Sequence, residues 1–328
     1  HVKSKVDDPS GHRGVPRETV KHAGHSRGPL LGQDREGVVI RFPRMYHDRV
    51  IQLRCDPDLM TEHLPLDLAG GKTVVIVEPD LTDGAGIRPG RHRRAHVGLD
   101  FVQSLDKKTG LEKWRTVRTG KMNANPQLKK SYGTPLIAKA NGSDTLFSPA
   151  SDWLYGYDPT TGHERWKVPY GMLGFSVVPR PVTGHGMLFM STSFMRPQLL
   201  AVRYEKTAQP HIVWKYNRGV SNQPSPILVG DELYFVGDSG GLVTCLDAHT
   251  GKVHWRERIG GNYSASPLHA NGKIYFHSRE GETTILKPGK TFKVLAKNKL
   301  DGQQMASAAV DANALILRTD KALYRIGK

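Results

Sequence analysis

The sequence predicts an all-β fold, a β-propeller of four-stranded antiparallel blades, and three observations carry that prediction. An eleven-residue segment ending in tryptophan recurs along the chain at intervals of 40 to 52 residues, a period typical of propellers and solenoids. Each copy is followed, after a polar loop, by a small residue and then proline. Between these anchors lie apolar runs of about five residues bounded by turn signals, the length of strands rather than of helices.

The segment Ser104–Trp114 (Ser-Leu-Asp-Lys-Lys-Thr-Gly-Leu-Glu-Lys-Trp) returns as Gly156–Trp166 and again as Cys245–Trp255; a degenerate copy ends at Trp214 and another at Leu295, where the tryptophan is replaced. The intervals between these end positions are 52, 48, 41 and 40 residues. The second anchor is read at Thr134-Pro135, Arg180-Pro181, Ser225-Pro226 and Ser266-Pro267, with Ser307-Ala308 as its last and weakest copy.

In the clearest unit, strand A covers residues 227–229, B 233–236, C 242–246 and D 252–257, lettered from the centre outward. The Thr-Gly pair between C and D suits a tight hairpin, because glycine takes positive φ and Asp or Thr bonds neighbouring backbone groups. The tryptophan on D is expected to cover a face of its own sheet, burying on the order of 200 Å² of ring. Trp114, Trp166, Trp214 and Trp255 are therefore expected at equivalent D-strand positions, as blade core and not as ligand platforms.

The pattern Leu-Asp-x-x-Thr-Gly-x-x-x-Trp, then Ser-Pro, then a Gly/Asp turn and Leu-Tyr-Phe, resembles the repeat of the pyrroloquinoline-quinone-binding-like (quinoprotein-type) propeller family, the Trp standing where that family's tryptophan-docking motif has it. The resemblance covers residues 101–328, about 70% of the chain. It implies the fold strongly and the chemistry weakly, because one fold hosts many functions.

Residues 1–100 depart from the repeat: all five tryptophans lie after them, and they hold eight of the fifteen histidines. Residues 1–35 read as an irregular N-terminal arm, 36–328 as the propeller with clear repeats from 101, and 88–94 as an exposed basic loop. Strand-like runs occur at 37–42, 50–54 and 73–78, the candidates to complete the propeller. The chain ends just after a third strand, 322–326, so an N-terminal strand, foremost 37–42, is expected to pair with it and close the final blade. Six to eight blades fit the length, and seven is the expected number.

Composition excludes several classes. No apolar run approaches the roughly 20 residues needed to cross a bilayer, and the first residues carry no apolar core of a secretory signal. Cys55 and Cys245 stand 190 positions apart, which rules out a cysteine zinc site; two free thiols are expected, with one long-range disulfide as the other reading. The net charge is +16, and residues 1–100 contribute little of it, with 16 basic against 14 acidic residues. Such a field attracts polyanions, yet no dense Lys/Arg run with interleaved aromatics marks a specific nucleic-acid site. The triplets beginning at Asn141 and Asn262 fit glycosylation acceptors, a short pattern that arises by accident. No HExxH, Gly-x-Ser-x-Gly or phosphate-cradling loop is present, and the near pair His22 and His25 reads as surface.

In a propeller the D-to-A and B-to-C loops open on one face around the centre, the default ligand site. The candidate ligand-binding residues there are Asn125, Lys130, Tyr132, Asp152, Phe175, Arg196, Gln223, Asp238, Tyr263, Arg279, Gln304 and Lys321. This set of amides, aromatics and cations suits a carboxylate or sugar ligand. The family resemblance raises a quinone (PQQ) cofactor with calcium, but the family's dehydrogenases pair adjacent cysteines and a Glu, Asn and Asp calcium set that this chain lacks, so neither is expected. The expected function is a non-catalytic scaffold that binds a protein or polyanionic polymer on its loop face, in the periplasm or outside the cell as the resemblance implies; the alternative is a quinone-dependent oxidoreductase. The sequence assigns no oligomeric state.

Overall fold

The computed structural model describes residues 73–78, 101–107 and 109–327, all within one compact unit, Cys55–Lys328. The chain is a β-propeller of antiparallel blades, and six sheets lie among the described residues. Blade I holds β1 (Thr73–Glu78), β2 (Phe101–Asp106) and β3 (Glu112–Val117). Blade II holds β4 (Leu136–Ala140), β5 (Ser143–Pro149), β6 (Trp153–Tyr157) and β7 (Glu164–Pro169). Blade III follows with β8 (Val182–Gly184), β9 (Met187–Ser191), β10 (Leu199–Arg203) and β11 (His211–Tyr216), and blade IV with β12 (Ile227–Val229), β13 (Glu232–Val236), β14 (Leu242–Asp247) and β15 (Val253–Arg258). Blade V holds β16 (Leu268–Ala270), β17 (Lys273–His277), β18 (Glu282–Leu286) and β19 (Val294–Lys299); blade VI holds β20 (Ala309–Asp311), β21 (Ala314–Arg318) and β22 (Leu323–Gly327).

The inner strand β12 touches both β8 and β16, which fixes the A-to-D order from the centre outward. Blade I lacks an A strand and blade VI a D strand among the described residues. The run 73–78 is strand B of blade I, with Thr73 opposite Asp106, and so does not serve the final blade. The expected arm 1–35, the runs 37–42 and 50–54, the loop 88–94 and the closing pair with 322–326 lie outside the described residues in whole or in part.

The tryptophans occupy equivalent positions. Trp114, Trp166, Trp214 and Trp255 each sit on the D strand directly after the bulged residue, opposite Ser104, Gly156, Ala201 and Cys245. Every partner is small, because a ring on D takes the volume a larger side chain on C would need. At Gly156 an added Cβ would lie 2.2 Å from the Trp166 ring. Blade V shows the converse: the residue at this position is Ala296, and its partner grows to Ile285. The missing tryptophan therefore maps to Ala296, one residue beyond the expected Leu295, because the bulge rather than the turn sets the register.

The rings lie on their own sheets as expected, Trp166, Trp214 and Trp255 standing 5.6 to 5.9 Å from Phe147, Phe189 and Tyr234 of the same blades, and three of the four also reach into the next blade. The indole N–H of Trp114 donates to the carbonyl of Pro159, that of Trp214 to Ala248 and that of Trp255 to Gly289, each at 3.0 Å and each in the C–D turn of the next blade. The C–D turns of blades I, II and IV share one device. Asp106, Asp158 and Asp247 accept from the backbone N–H groups of Thr109, of Thr160 and Thr161, and of Thr250. The turn glycine bonds back to the Asp carbonyl at 2.8 to 2.9 Å. Gly162, at φ 76°, lies on Trp114, and Gly251, at φ 71°, lies on Trp214. Glycine is needed there twice over, for its backbone angle and for the absence of a Cβ.

The apolar core accordingly fills the seams between blades. Phe147 and Leu154 of blade II meet Leu188, Met190 and Leu200 of blade III; Met187, Phe189 and Leu199 meet Leu233, Phe235 and Leu246 of blade IV; Tyr234, Val236 and Trp255 meet Ile274, Phe276 and Leu286 of blade V. Central strands such as β9, buried at every residue, face a neighbour on both sides, while β11 alternates between exposed and half-buried residues. The small-residue–proline anchor also links blades: the backbone N–H groups of Arg180, Ser225 and Ser266 donate to the hydroxyls of Ser225, Ser266 and Ser307 at 2.9 to 3.0 Å. A serine before the proline thus receives a bond from the previous blade and sends one to the next.

Candidate functional site

The D-to-A and B-to-C loops are tied together blade by blade. In blade IV, Asp238 accepts from the N–H of Asn222 at 2.7 Å, from its side-chain amide at 2.9 Å and from the N–H of Gln223 at 3.0 Å. In blade V, Glu280 accepts from the N–H and side-chain amide of Asn262 at 3.0 and 2.8 Å. In blade VI, Asp320 accepts from the N–H of Gln303 at 2.6 Å. Burial pushes the Glu280 carboxyl up, but the Asn262 donors and the Ser278 hydroxyl outweigh it and hold it down at about 2. These three acids clamp their own loops, one to a blade. That donor set does not fit calcium, which needs six to eight converging oxygens. Cys245 is a free buried thiol that burial pushes up to about 12, the state of an inert core cysteine; Cys55 lies outside the described residues.

The expected site residues fall into two groups. Across blades IV and V, Arg279 donates to the Ser264 hydroxyl at 2.6 Å and to the Gln223 side-chain carbonyl at 3.1 Å, joining Gln223, Asp238 and Arg279. Across blades II and III, the carbonyl of Lys130 accepts from Ser151 and Ser176, the N–H of Tyr132 donates to Val177, and that of Arg196 to Leu173. The Phe175 ring meets Phe194 edge-on at 5.4 Å, and Asp152, its carboxyl pushed up by burial, accepts from the N–H of Tyr170 through its carbonyl. Asn125 stands at the head of a 3₁₀ turn, Pro126–Lys129, its N–H on the Asn123 side chain. Lys321 is exposed beside Asp320 at 3.8 Å.

Two expectations are corrected. Tyr263 and Gln304 are fully buried, because their N–H groups bond to the Asp238 and Arg279 carbonyls of the preceding blade and turn both side chains inward. Their backbones hold the loops to the preceding blade, and their side chains lie inside the fold and not on the exposed loop face. The glycosylation triplet at Asn262 is likewise engaged by Glu280.

Sequence reasoning missed the character of the blade II–III rim. Tyr132, Met172, Phe194 and Met195 are exposed by 50%, 73%, 55% and 63%, and the Gly174–Met195 bridge holds two of their loops together. Methionines that recur in no repeat register were the one available signal. Among the described residues no helix is long and apolar enough to cross a membrane.

A family model described as outer membrane protein assembly factor BamB matches residues 99–241 and 204–319. Among solved structures, BamB from Moraxella catarrhalis is similar, with a TM-score of 0.50 at 14% sequence identity, over 69% of this chain. The chain spans 66% of that protein's length, just under two thirds, and a likeness at this identity speaks for the fold alone. No curated protein matches the chain.

Proposed function

From the premise that the chain belongs to the family described as outer membrane protein assembly factor BamB, we propose that it is a non-catalytic propeller scaffold of the cell envelope that docks a protein partner on the loop face of blades II and III. The observation that carries this reading is the apolar rim of Tyr132, Met172, Phe194 and Met195. Contiguous exposed aromatics and methionines mark protein-binding surfaces, and methionine adapts to varied apolar shapes. Lys129, Lys130 and Arg196 beside this rim favour a partner segment that is apolar with acidic flanks. Asp238, Glu280 and Asp320 are engaged by their own loop backbones, which supports a binding role over general acid–base work for them.

The test places a photoreactive residue at Phe194 and, as a reference, at Asn271 on the opposite face, and irradiates the full chain in native envelope extract. A discrete protein adduct from position 194, absent from 271 and abolished by Met195→Asp, supports the reading. Equal labelling at both positions overturns it, as does binding that heparin removes while Met195→Asp leaves it intact, which marks a polyanion binder. Retention of added quinone with calcium and dye-linked alcohol oxidation would replace the scaffold by the oxidoreductase.

A further inference from the structure

On the face opposite those loops, three side chains from two blades converge on one point. His185 lies in the β8–β9 turn of blade III, Asp231 in the β12–β13 turn of blade IV and His249 in the β14–β15 turn of blade IV, and all three are exposed. The Nε2 atoms of both histidines stand 3.4 Å from the same carboxylate oxygen, Oδ1 of Asp231. The two rings are 4.4 Å apart between centroids, and one ligating atom from each of the three residues falls within 4.8 Å of the others.

These spacings are those of a metal's ligand shell. A tetrahedral zinc ion with bonds of about 2.1 Å separates its ligand atoms by about 3.4 Å along each edge. Two of the three edges are already at that length, and the third closes by rotation of exposed rings. Two imidazoles and one carboxylate are a borderline donor set that suits zinc and its transition-series neighbours, not calcium or magnesium.

The repeat supplies an internal comparison. The turn position of His185 carries Asn141 in blade II, Gly230 in blade IV and Asn271 in blade V; that of Asp231 carries Gly142, Gly186 and Gly272; that of His249 carries Lys108 in blade I and Thr160 in blade II. At φ 56°, His185 takes the left-handed conformation that its Asn counterparts take at 48°, so the turn needs no histidine. Three departures from the repeat, 46 and 18 residues apart in the chain, meet at one seam.

We propose that His185, Asp231 and His249 bind one divalent transition-metal ion, zinc by donor set, which staples blade III to blade IV and leaves one coordination position open to water or to an outside ligand. Ligation removes the proton from His185 Nε2, which gives up its 3.0 Å contact with the Gly230 carbonyl.

Cobalt(II) is the probe, titrated into the metal-free full chain, because its visible spectrum reports coordination number, and zinc is then added in competition. Any cobalt taken up by the histidines of residues 1–100 is common to wild type and variants, so the readout is the difference between chains. Expected is one equivalent of four-coordinate cobalt, displaced by zinc, that His185→Gln/His249→Gln loses completely and Asp231→Asn weakens at least tenfold. Zinc should raise the melting temperature of the wild type and not of the double variant, while the metal-free melting temperatures agree. Equal stoichiometry and spectra in wild type and double variant, or cobalt bound only with six-coordinate spectra, would overturn the site.

Discussion

Replacing Gly162 by alanine probes the contact on which the blade order rests. The residue sits at φ 76° in the C–D turn of blade II, and a Cβ there would lie 2.5 Å from Cε3 and 2.6 Å from Cδ2 of Trp114 and 2.7 Å from Oγ1 of Thr116. The left-handed backbone alone costs about 1–2 kcal/mol with any Cβ. Displacing a ring adds about 1–3 kcal/mol, because Trp114 is pinned through its N–H to Pro159 at 3.0 Å. Gly142→Ala isolates the second part: Gly142 has φ 83° and, among the described residues, no atom within 4 Å of its added Cβ. Both variants share the strain and the unfolded-state entropy change, so the difference between their urea midpoints, followed by tryptophan fluorescence, reads the crowding. Gly162→Ala should be the less stable by about 1–3 kcal/mol. Equal midpoints would mean that Trp114 does not rest on the next blade, and the seam description would fail with it.

Acid should act through two groups. Burial pushes His277 down to about 4; a group with a depressed folded pKa stabilises above its unfolded value, so stability should fall from pH 6.5 to 4 by up to about 3 kcal/mol, and urea melts of His277→Gln should lack that slope. Glu280, held at about 2, stabilises above the unfolded value of about 4.3 and loses its contribution as pH falls toward 2; Glu280→Gln should melt with less pH dependence between pH 5 and 2.5. Deleting residues 1–45 should lower the melting temperature and promote association seen by light scattering, because among the described residues β22 is the outermost strand of blade VI, with Leu323 and Ile326 exposed; a truncated chain that stays monomeric and melts like the full one would remove the N-terminal closure.

The blades were legible because turn chemistry and strand length are local. Asp247, Thr250 and Gly251 announce their hairpin, and the strands of blade IV fall within one residue of their expected bounds. What the sequence concealed is what comes from a neighbour. The indole of Trp255 belongs by sequence to its own sheet, but its hydrogen-bond partner, Gly289, is 34 residues away, and nothing in a period says which face of a blade receives it. The site was legible to the level of loops only. Lys130, Arg196 and Gln223 lie on the face where the strand order puts them, whereas Tyr263 and Gln304, read from the same loops, turn inward because the preceding blade's carbonyls claim their N–H groups. The convergence of His185, Asp231 and His249 needs two blades at once and leaves no spacing to recognise.

The forward reach of Trp114, Trp214 and Trp255 makes the joint, rather than the blade, the thing that is copied. Trp214 and Trp255 stand 41 residues apart, the same step that leads to Ala296, and each tryptophan joint is completed by the donor strand of one copy and the acceptor turn of the next. Adding or removing one whole period therefore leaves every remaining joint with both of its halves. A cut through the middle of a period strands a donor without its acceptor. Chains of this kind can change length by gene duplication without inventing a new contact between successive copies.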